Sequence, residues 1–240
     1  MSGAATKHTG QGRTPQQDTG QGYDARPYLP EGGGLPTLRR AAAHCRGCPL
    51  FAEATGTVFG SGTRSARYVL AGEQPGDQED REGQPFVGPA GRLLRKALFE
   101  AGLDAREAYV TNAVKHFKFT VAERGKRRIH KPPSLREMTA CRPWLEAELR
   151  AVDPDLVVAL GATAGKALLG SSFKVSQQRG AVLPMPDWDA LGEGPAHDGT
   201  DRRAHLVATV HPSAVLRATD REAAYSGLVT DLRAAAGALG

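Results

Sequence analysis

Four short apolar runs, each followed at once by a polar or glycine-containing turn, constrain the fold of this chain more than any other feature. The runs occupy residues 67–71, 108–114, 156–160 and 206–210. Continuous apolar runs of this length are typical of strands buried on both faces of a parallel sheet, and helix-like segments lie between them. The sequence therefore predicts an α/β protein, a three-layer α/β/α sandwich around a central four-stranded parallel sheet.

The turns that follow these runs are the predicted place for a binding site. In open parallel sheets, ligands bind beyond the carboxyl ends of the strands. The segments at the four ends are GEQPG at 72–76, KH at 115–116, GAT at 161–163 and HPS at 211–213. We therefore expect the functional side chains to come from several distant parts of the chain and to meet at one edge of the sheet.

The two ends of the chain differ in composition. Residues 1–34 contain eight Gly and three Pro but few large apolar side chains, so we expect a disordered tail followed by one domain over residues 35–240. Residues 184–204 are rich in Gly, Pro and Asp and are interpreted as a surface insertion without an assigned role. No run approaches the roughly 20 apolar residues that span a bilayer, and no secretory signal is recognisable, so we expect a cytoplasmic protein without a membrane partner.

Basic charge is concentrated in one segment. Residues 115–136 contain eight Lys or Arg and one acidic residue, Glu123, whereas the whole chain has a net charge of +5. The rest of the chain is therefore slightly acidic. This distribution is typical of a surface that binds nucleic-acid phosphates, although a solvated basic loop is the alternative.

Three side chains near the predicted strand ends have chemistry that suits a nucleobase. The Asn112 carboxamide offers one donor and one acceptor, enough to pair with the O4 and N3–H edge of uracil and opposite to the pattern of cytosine. Phe86 lies in QPFVGP, where Gly and Pro can present its ring as a stacking surface. His211 could donate to a carbonyl oxygen as charge develops on a leaving base. Taken singly, each has a structural alternative: a turn residue, a core aromatic and a satisfied histidine.

Together the motifs are more specific than any one of them. Five segments resemble the iron–sulfur branch of the uracil-DNA glycosylase superfamily: GEQPG at 72–76, PFVGPAG at 85–91, VTN at 110–112, ACRP at 140–143 and HPS at 211–213. The resemblance covers nearly all of residues 35–239 and implies the uracil-DNA glycosylase fold. It also implies uracil recognition by Asn112, stacking by Phe86 and catalytic support from Glu73, Gln74 and His211, with Gln74 and His211 also contacting the base.

Two departures from the ordinary members of that branch narrow the resemblance. Ordinary members have Ala where this chain has Gln74, and they lack the GKRRIH segment at 125–130. Both features are similar to the UdgX type, in which the histidine of KRRIH is the nucleophile that traps the sugar. The resemblance therefore implies that His130 forms a covalent adduct with C1′ of the abasic site in a single turnover.

The implied partner is uracil-containing DNA, either single-stranded or with the nucleotide flipped from a duplex, and the protein is expected to be a monomer. Four basic side chains of the segment are expected at its phosphates: Lys126, Arg127, Arg128 and Lys131.

Three cysteines indicate a metal site. Cys45 and Cys48 form a CxxC that a reducing compartment keeps as thiols, and Cys141 is the third. Ligation by cysteine alone would need four thiolates, and the ordinary iron–sulfur glycosylases carry a cysteine where this chain has His116. The resemblance thus implies a structural 4Fe–4S cluster held by Cys45, Cys48, His116 and Cys141, with His44 as an alternative fourth ligand. Ligand chemistry alone would also allow zinc in a Cys₃His site.

Two rival functions share most of these features. In a multiple-turnover uracil glycosylase, His130 would only contact DNA, and no adduct would survive denaturation. A noncatalytic DNA-binding regulator would use the same basic segment but would release no uracil.

Overall fold

The computed structural model describes residues 22–122, 127–186 and 204–240. The strands of this part are β1 (Tyr68–Gly72), β2 (Ala108–Asn112), β3 (Phe119–Val121), β4 (Arg128–His130), β5 (Leu156–Leu160), β6 (Val182–Pro184) and β7 (His205–Thr209). Its helices are α1 (Leu35–Ala42), α2 (Asp77–Glu82), α3 (Pro89–Ala101), α4 (Leu135–Val152), α5 (Ala162–Leu169), α6 (Val175–Gln178), α7 (Pro212–Arg217) and α8 (Arg221–Leu239).

The central sheet has the strand order β2-β1-β5-β7-β6. Strands β2, β1, β5 and β7 run parallel, and their positions confirm the four strands predicted from the apolar runs, with shifts of one or two residues at their ends. The edge strand β6 is an addition that runs antiparallel to β7. It has only three residues, none of them buried, so it carries no continuous apolar signal in the sequence.

Helices cover both faces of the sheet, so the predicted three-layer sandwich is confirmed. Alternate strand residues separate the core into two clusters: Leu70 and Val158 face helices α3, α7 and α8, whereas Val69 and Val157 face α1, α4 and α5. The parallel strands therefore place all their carboxyl ends at one edge. Among the described residues, no helix combines the length and hydropathy that crossing a bilayer requires.

Ordered structure begins closer to the N-terminus than the composition suggests. The Ala25 side chain is 1% exposed, its N–H donates to Ala140 O, and the N–H of Asp24 donates to Gly47 O. Tyr23 and neighbouring apolar residues pack against the core beside them. For residues 22–34, the structure therefore differs from the predicted tail, because the few apolar residues of the tail are clustered there. Residues 1–21, and residues 187–203 of the predicted insertion, lie outside the described residues.

A two-stranded antiparallel hairpin stands apart from the main sheet. Strand β3 pairs with β4, with Phe119 opposite His130 and Val121 opposite Arg128. Alternate residues of a strand point to the same side, so His130 and Arg128 lie on one face of this hairpin. Residues 119–121 and 128–130 of the basic segment are thus paired, and the position of this pair decides where His130 lies.

Candidate active site

A buried carboxamide marks the centre of the candidate site. Asn112 ends β2 and pairs in register with Gly72 of β1. The Asn112 side chain is 1% exposed, and neither its Oδ1 nor its Nδ2 has a hydrogen-bond partner among the described residues. A Cβ on Gly72 would overlap both Asn112 Oδ1 and the Phe86 ring, so only glycine allows this close approach. Because burying an unpaired carboxamide is costly, Asn112 is suited to pairing with a bound ligand.

Phe86, whose ring forms the aromatic wall of the site, has an unusual backbone conformation. Phe86 has φ of 56°, in the left-handed region that bulky residues rarely adopt. Its backbone N–H faces the buried Glu79 carboxyl group and opposes the rise that burial causes in the pKa of that group, and its carbonyl accepts from Arg95 Nη1 at 3.2 Å. Gly91 leaves room for the same carbonyl, which would overlap a Cβ there. The Phe86 ring is thereby fixed 6.0 Å from the His211 ring, centroid to centroid.

The hydrogen bonds of His211 fix which ring nitrogen carries the proton. His211 is the N-cap of α7, and its Nδ1 accepts from the Ser213 N–H at 3.1 Å. The neutral ring therefore carries its proton on Nε2. Burial lowers the pKa of His211 to about 4, and the positive charge of Arg217 acts in the same direction, as does that of His130 when it is protonated. At neutral pH, His211 is thus a neutral donor, as the predicted stabilisation of a leaving group needs.

The hairpin brings His130 to the end of β1. His130 Nε2 lies 3.3 Å from Glu73 Oε1, and the ring is 48% exposed. The other Glu73 oxygen accepts a hydrogen bond from the Thr163 hydroxyl. Burial lowers the pKa of His130; Glu73 opposes this shift, and Arg217 adds to it. The lowered pKa favours the neutral ring at pH 7, and the Glu73 carboxylate lies close enough to Nε2 to orient it.

Gln74 contacts the hairpin. Its Oε1 accepts from the Lys118 N–H at 3.2 Å, and its Nε2 donates to the carbonyls of Lys118 at 3.2 Å and Lys131 at 2.9 Å. The carboxamide is buried and joins both strands at the base of the hairpin. These backbone groups occupy both ends of the side chain, and the contact of Gln74 with uracil stays a prediction.

Arg128 also points inward. Its side chain is 13% exposed, and its guanidinium is paired with Asp77 and with Asp80, the latter at 2.6 Å. The guanidinium also lies over the stacked rings of Phe117 and Phe119. The register that turns His130 toward the site turns Arg128 toward α2, where its charge is already paired, and its phosphate contact stays a prediction.

The basic segment exposes less charge than its sequence suggests. Lys115 is buried against Glu148, and Lys118 is paired with Glu137 at 2.8 Å. Of the four predicted phosphate contacts, Arg127 and Lys131 are exposed, whereas Lys126 lies outside the described residues. A phosphate-binding surface on this side therefore has fewer free cations than the count of Lys and Arg implies.

The three cysteines form one buried group. Cys45, Cys48 and Cys141 are all buried and free. Burial raises the pKa of Cys48 to about 11, with the charge of Cys45 adding to the shift. Burial likewise raises the pKa of Cys141 to about 12, opposed by Lys115. Thiols in such surroundings are inert unless a bound cation stabilises the thiolates, so their chemistry suits a metal centre.

The fourth predicted ligand is less clearly part of this group. His116 is buried, and its Nε2 shares a 3.0 Å hydrogen bond with the Thr57 hydroxyl, whereas the alternative His44 is exposed. Across the described ranges, no three Cys, His, Asp or Glu side chains converge as ligands of a metal ion. To bind a metal centre beside the cysteines, His116 would have to give up its hydrogen bond with Thr57.

Several residues that organise the site were not found from the sequence. Thr163 stands in the GAT turn after β5, which was noted as a strand end without a role for the hydroxyl. Glu79 follows Gly76 at the spacing of a capping box, which was the available signal for its bond to the Gly76 N–H. Glu148 gave no signal, because it lies in the middle of an ordinary helix.

Comparison with known proteins agrees with this geometry. Residues 59–233 match the family model described as the uracil DNA glycosylase superfamily. The chain is 34% identical over 179 residues to a type-4 uracil-DNA glycosylase of Thermotoga maritima, covering 74% of this chain and 81% of that protein. It is 30% identical over 186 residues to a type-4 uracil-DNA glycosylase of Archaeoglobus fulgidus, covering 76% and 83% respectively. A type-4 uracil-DNA glycosylase of Pyrobaculum aerophilum is 30% identical over 185 residues, with 76% and 85% covered.

Proposed function

The chain belongs to the uracil DNA glycosylase superfamily, and from that premise we propose that it excises uracil from DNA and then captures the sugar on His130. The observation that carries the capture step is the 3.3 Å contact between His130 Nε2 and Glu73 Oε1, beside the buried, unpaired Asn112 carboxamide. Phe86 stacks on the base, and the Asn112 carboxamide pairs with its edge. The nucleotide reaches this site from a single strand or by flipping out of a duplex.

Base departure is assisted by His211. The C1′–N1 bond breaks, and its electron pair leaves with uracil, whose O2 gains negative charge. The Nε2–H of His211 donates to that oxygen, and its burial makes this hydrogen bond stronger than it would be in water. The sugar that remains is an oxocarbenium-like cation.

Capture follows from the neutral state of His130. With Nε2–H donated to Glu73, the other ring nitrogen carries the lone pair that bonds to C1′. The alkylated ring is then a cation, and its remaining proton passes to Glu73. No water is consumed, and the protein acts once, because the new C–N bond to the imidazole does not readily break.

The test follows both products in one reaction. Parent protein mixed with a uracil-containing oligonucleotide should release free uracil and give a protein–DNA band that survives denaturing electrophoresis. His130→Ser should release uracil without that band, because water replaces the imidazole. The matched control is His205→Ser, an exposed histidine at the start of β7, at the opposite edge of the sheet. Uracil release without a band from the parent would return the protein to the multiple-turnover glycosylases, and neither product would favour a noncatalytic regulator.

The proposal includes a 4Fe–4S cluster held by Cys45, Cys48, His116 and Cys141. It is supported by the three buried, free cysteines and by the resemblance of the motifs. The cluster would supply a structural cross-link between the CxxC loop, the end of β2 and α4. Iron and sulfide analysis of anaerobically prepared protein tests it, with His116→Ala expected to lose iron and His44→Ala to retain it. Stoichiometric zinc without iron would overturn the cluster.

Phosphate binding is assigned to the exposed cations of the basic segment, Arg127 and Lys131, together with Lys126. Arg217 is exposed and lowers the pKa of both His130 and His211, so its charge lies beside the same site. These cations favour the approach of DNA by its backbone and carry no information about base identity.

A further inference from the structure

A fully buried ion pair lies directly beneath the base-binding residues. Lys115 and Glu148 each have side chains that are 1% exposed. The Lys115 Nζ uses all three of its donors, to Thr111 Oγ1 at 2.8 Å, to the Asn112 carbonyl at 2.7 Å and to Glu148 Oε2. The catalytic steps above use neither charge.

The Glu148 carboxylate is equally well satisfied. Its Oε1 accepts from the Gly60 N–H and the Tyr109 hydroxyl, both at 2.9 Å, and its Oε2 accepts from the Thr111 hydroxyl at 2.8 Å. Removing two charges from water is costly, and a well-packed apolar pair of similar volume is often as stable. Stability alone therefore does not explain this pair.

The contacts of the pair converge on the last residues of β2. Glu148 belongs to α4, and through Lys115 it is connected to the backbone carbonyl of Asn112. The Thr111 hydroxyl donates to Glu148 and accepts from Lys115. A second contact from α4 holds the same segment, because Cys141 Sγ accepts the Lys115 N–H at 3.3 Å. Helix α4 thus fixes the end of β2 at two points.

In the part of the chain that the structure describes, the Asn112 carboxamide has no hydrogen bond of its own to set its direction. Its orientation therefore depends on where its backbone lies and on the close packing of Gly72 and Phe86 around it. A shift of the backbone would move the donor and acceptor away from the edge of the base. Selectivity built on hydrogen bonds is sensitive to such shifts, because the pairs must all form at once.

We propose that Lys115 and Glu148 are positioning residues for base selection, which hold the Asn112 backbone where its carboxamide meets uracil. This inference rests on the proposed excision of uracil. The pair does not touch the base; it acts through Asn112, and its loss should have the same effect as the loss of the carboxamide.

The test is a double-mutant cycle on uracil release. Lys115→Met with Glu148→Gln removes both charges together, so that neither is left buried without its partner. A displacement of about 1 Å can cost on the order of 100-fold in rate, so release should fall roughly 10- to 100-fold. Affinity for the same DNA without uracil should stay unchanged. In an Asn112→Ala background, where release is followed as the residual single-turnover rate with excess protein, the double substitution should cause no further fall.

Tyr109→Phe is the matched control. It removes a hydrogen bond to the same carboxylate but on the oxygen that does not face Lys115, so it should release uracil at nearly the parent rate. Iron content and the thermal midpoint, measured on every variant, show that cluster and fold persist. If the double substitution prevents folding, Thr111→Val removes only the bridging hydroxyl and enters the same cycle, with a smaller fall expected.

Two results would overturn the positioning role. One is parent-like release from the folded double variant, and the other is a full additional fall in the Asn112→Ala background. A parent protein that releases no uracil at all overturns the proposed function before any variant is compared, so the two failures are distinguishable.

Discussion

Gln74→Ala separates the positioning of His130, the proposed nucleophile, from the removal of the base. The substitution removes three hydrogen bonds between the Gln74 carboxamide and the hairpin backbone at Lys118 and Lys131. Each contributes roughly 0.5–1.5 kcal/mol net, so the docked hairpin loses about 3 kcal/mol. Because 1.4 kcal/mol is a factor of ten, that loss is a shift of about 100-fold in the equilibrium constant for docking, and the docked population falls by up to that factor. Arg128 still tethers the hairpin to α2, so the fold should survive.

Adduct formation should therefore slow by up to about 100-fold in Gln74→Ala, while uracil release changes little. Rapid-quench time courses with excess protein report both products from the same tube. Gln78→Ala, which removes an exposed glutamine on α2 that bonds only Glu82 in the described structure, is the matched control. An equal fall in both products would place Gln74 at the base, and an unchanged adduct rate would show that docking does not depend on it.

Three further predictions test the rest of the site. Asn112→Ala should lose uracil release and keep its affinity for DNA without uracil; release at the parent rate would remove Asn112 from recognition. Arg127→Ala should reduce the slope of log affinity against log salt by about one unit, whereas Arg128→Ala should leave it unchanged; the reverse order would refute the inward position of Arg128. Because the pKa of His130 lies below its ordinary value, the ring keeps its lone pair at pH 6.5 and loses it only at lower pH. Adduct yield should therefore persist at pH 6.5 and fall on further acidification, with uracil release persisting to lower pH; a yield already halved above pH 6.5 would contradict this.

The parts of the site that could be predicted are those fixed by strand ends. Asn112, His211 and Glu73 each follow an apolar run, and parallel strands end at one edge, so their meeting depends only on the sheet. Phe86 is set by its own Gly- and Pro-rich loop. Local patterns carry this information because each of these positions is determined within a few residues of its motif.

The parts that could not be predicted depend on distant partners. Arg128 and Asp77 are 51 residues apart, and Lys115 and Glu148 are 33 apart, so the count of charges in one segment did not show which are neutralised inside the fold. Gln74 was assigned to the base because it adjoins the site in sequence. Only the three-dimensional position of the hairpin shows that its carboxamide is already bonded to Lys118 and Lys131.

The attachment of the hairpin has a consequence for protein engineering. The residues that hold it lie outside the hairpin: Gln74 after β1, and Asp77 and Asp80 on α2, which pair with Arg128. A hairpin transplanted alone into an ordinary glycosylase, which has Ala in place of Gln74, would lack part of this docking site. Converting such an enzyme into a protein that binds the sugar covalently should therefore require grafting the hairpin together with its docking residues. Hairpin-only chimaeras are expected to remain hydrolases that carry an undocked histidine.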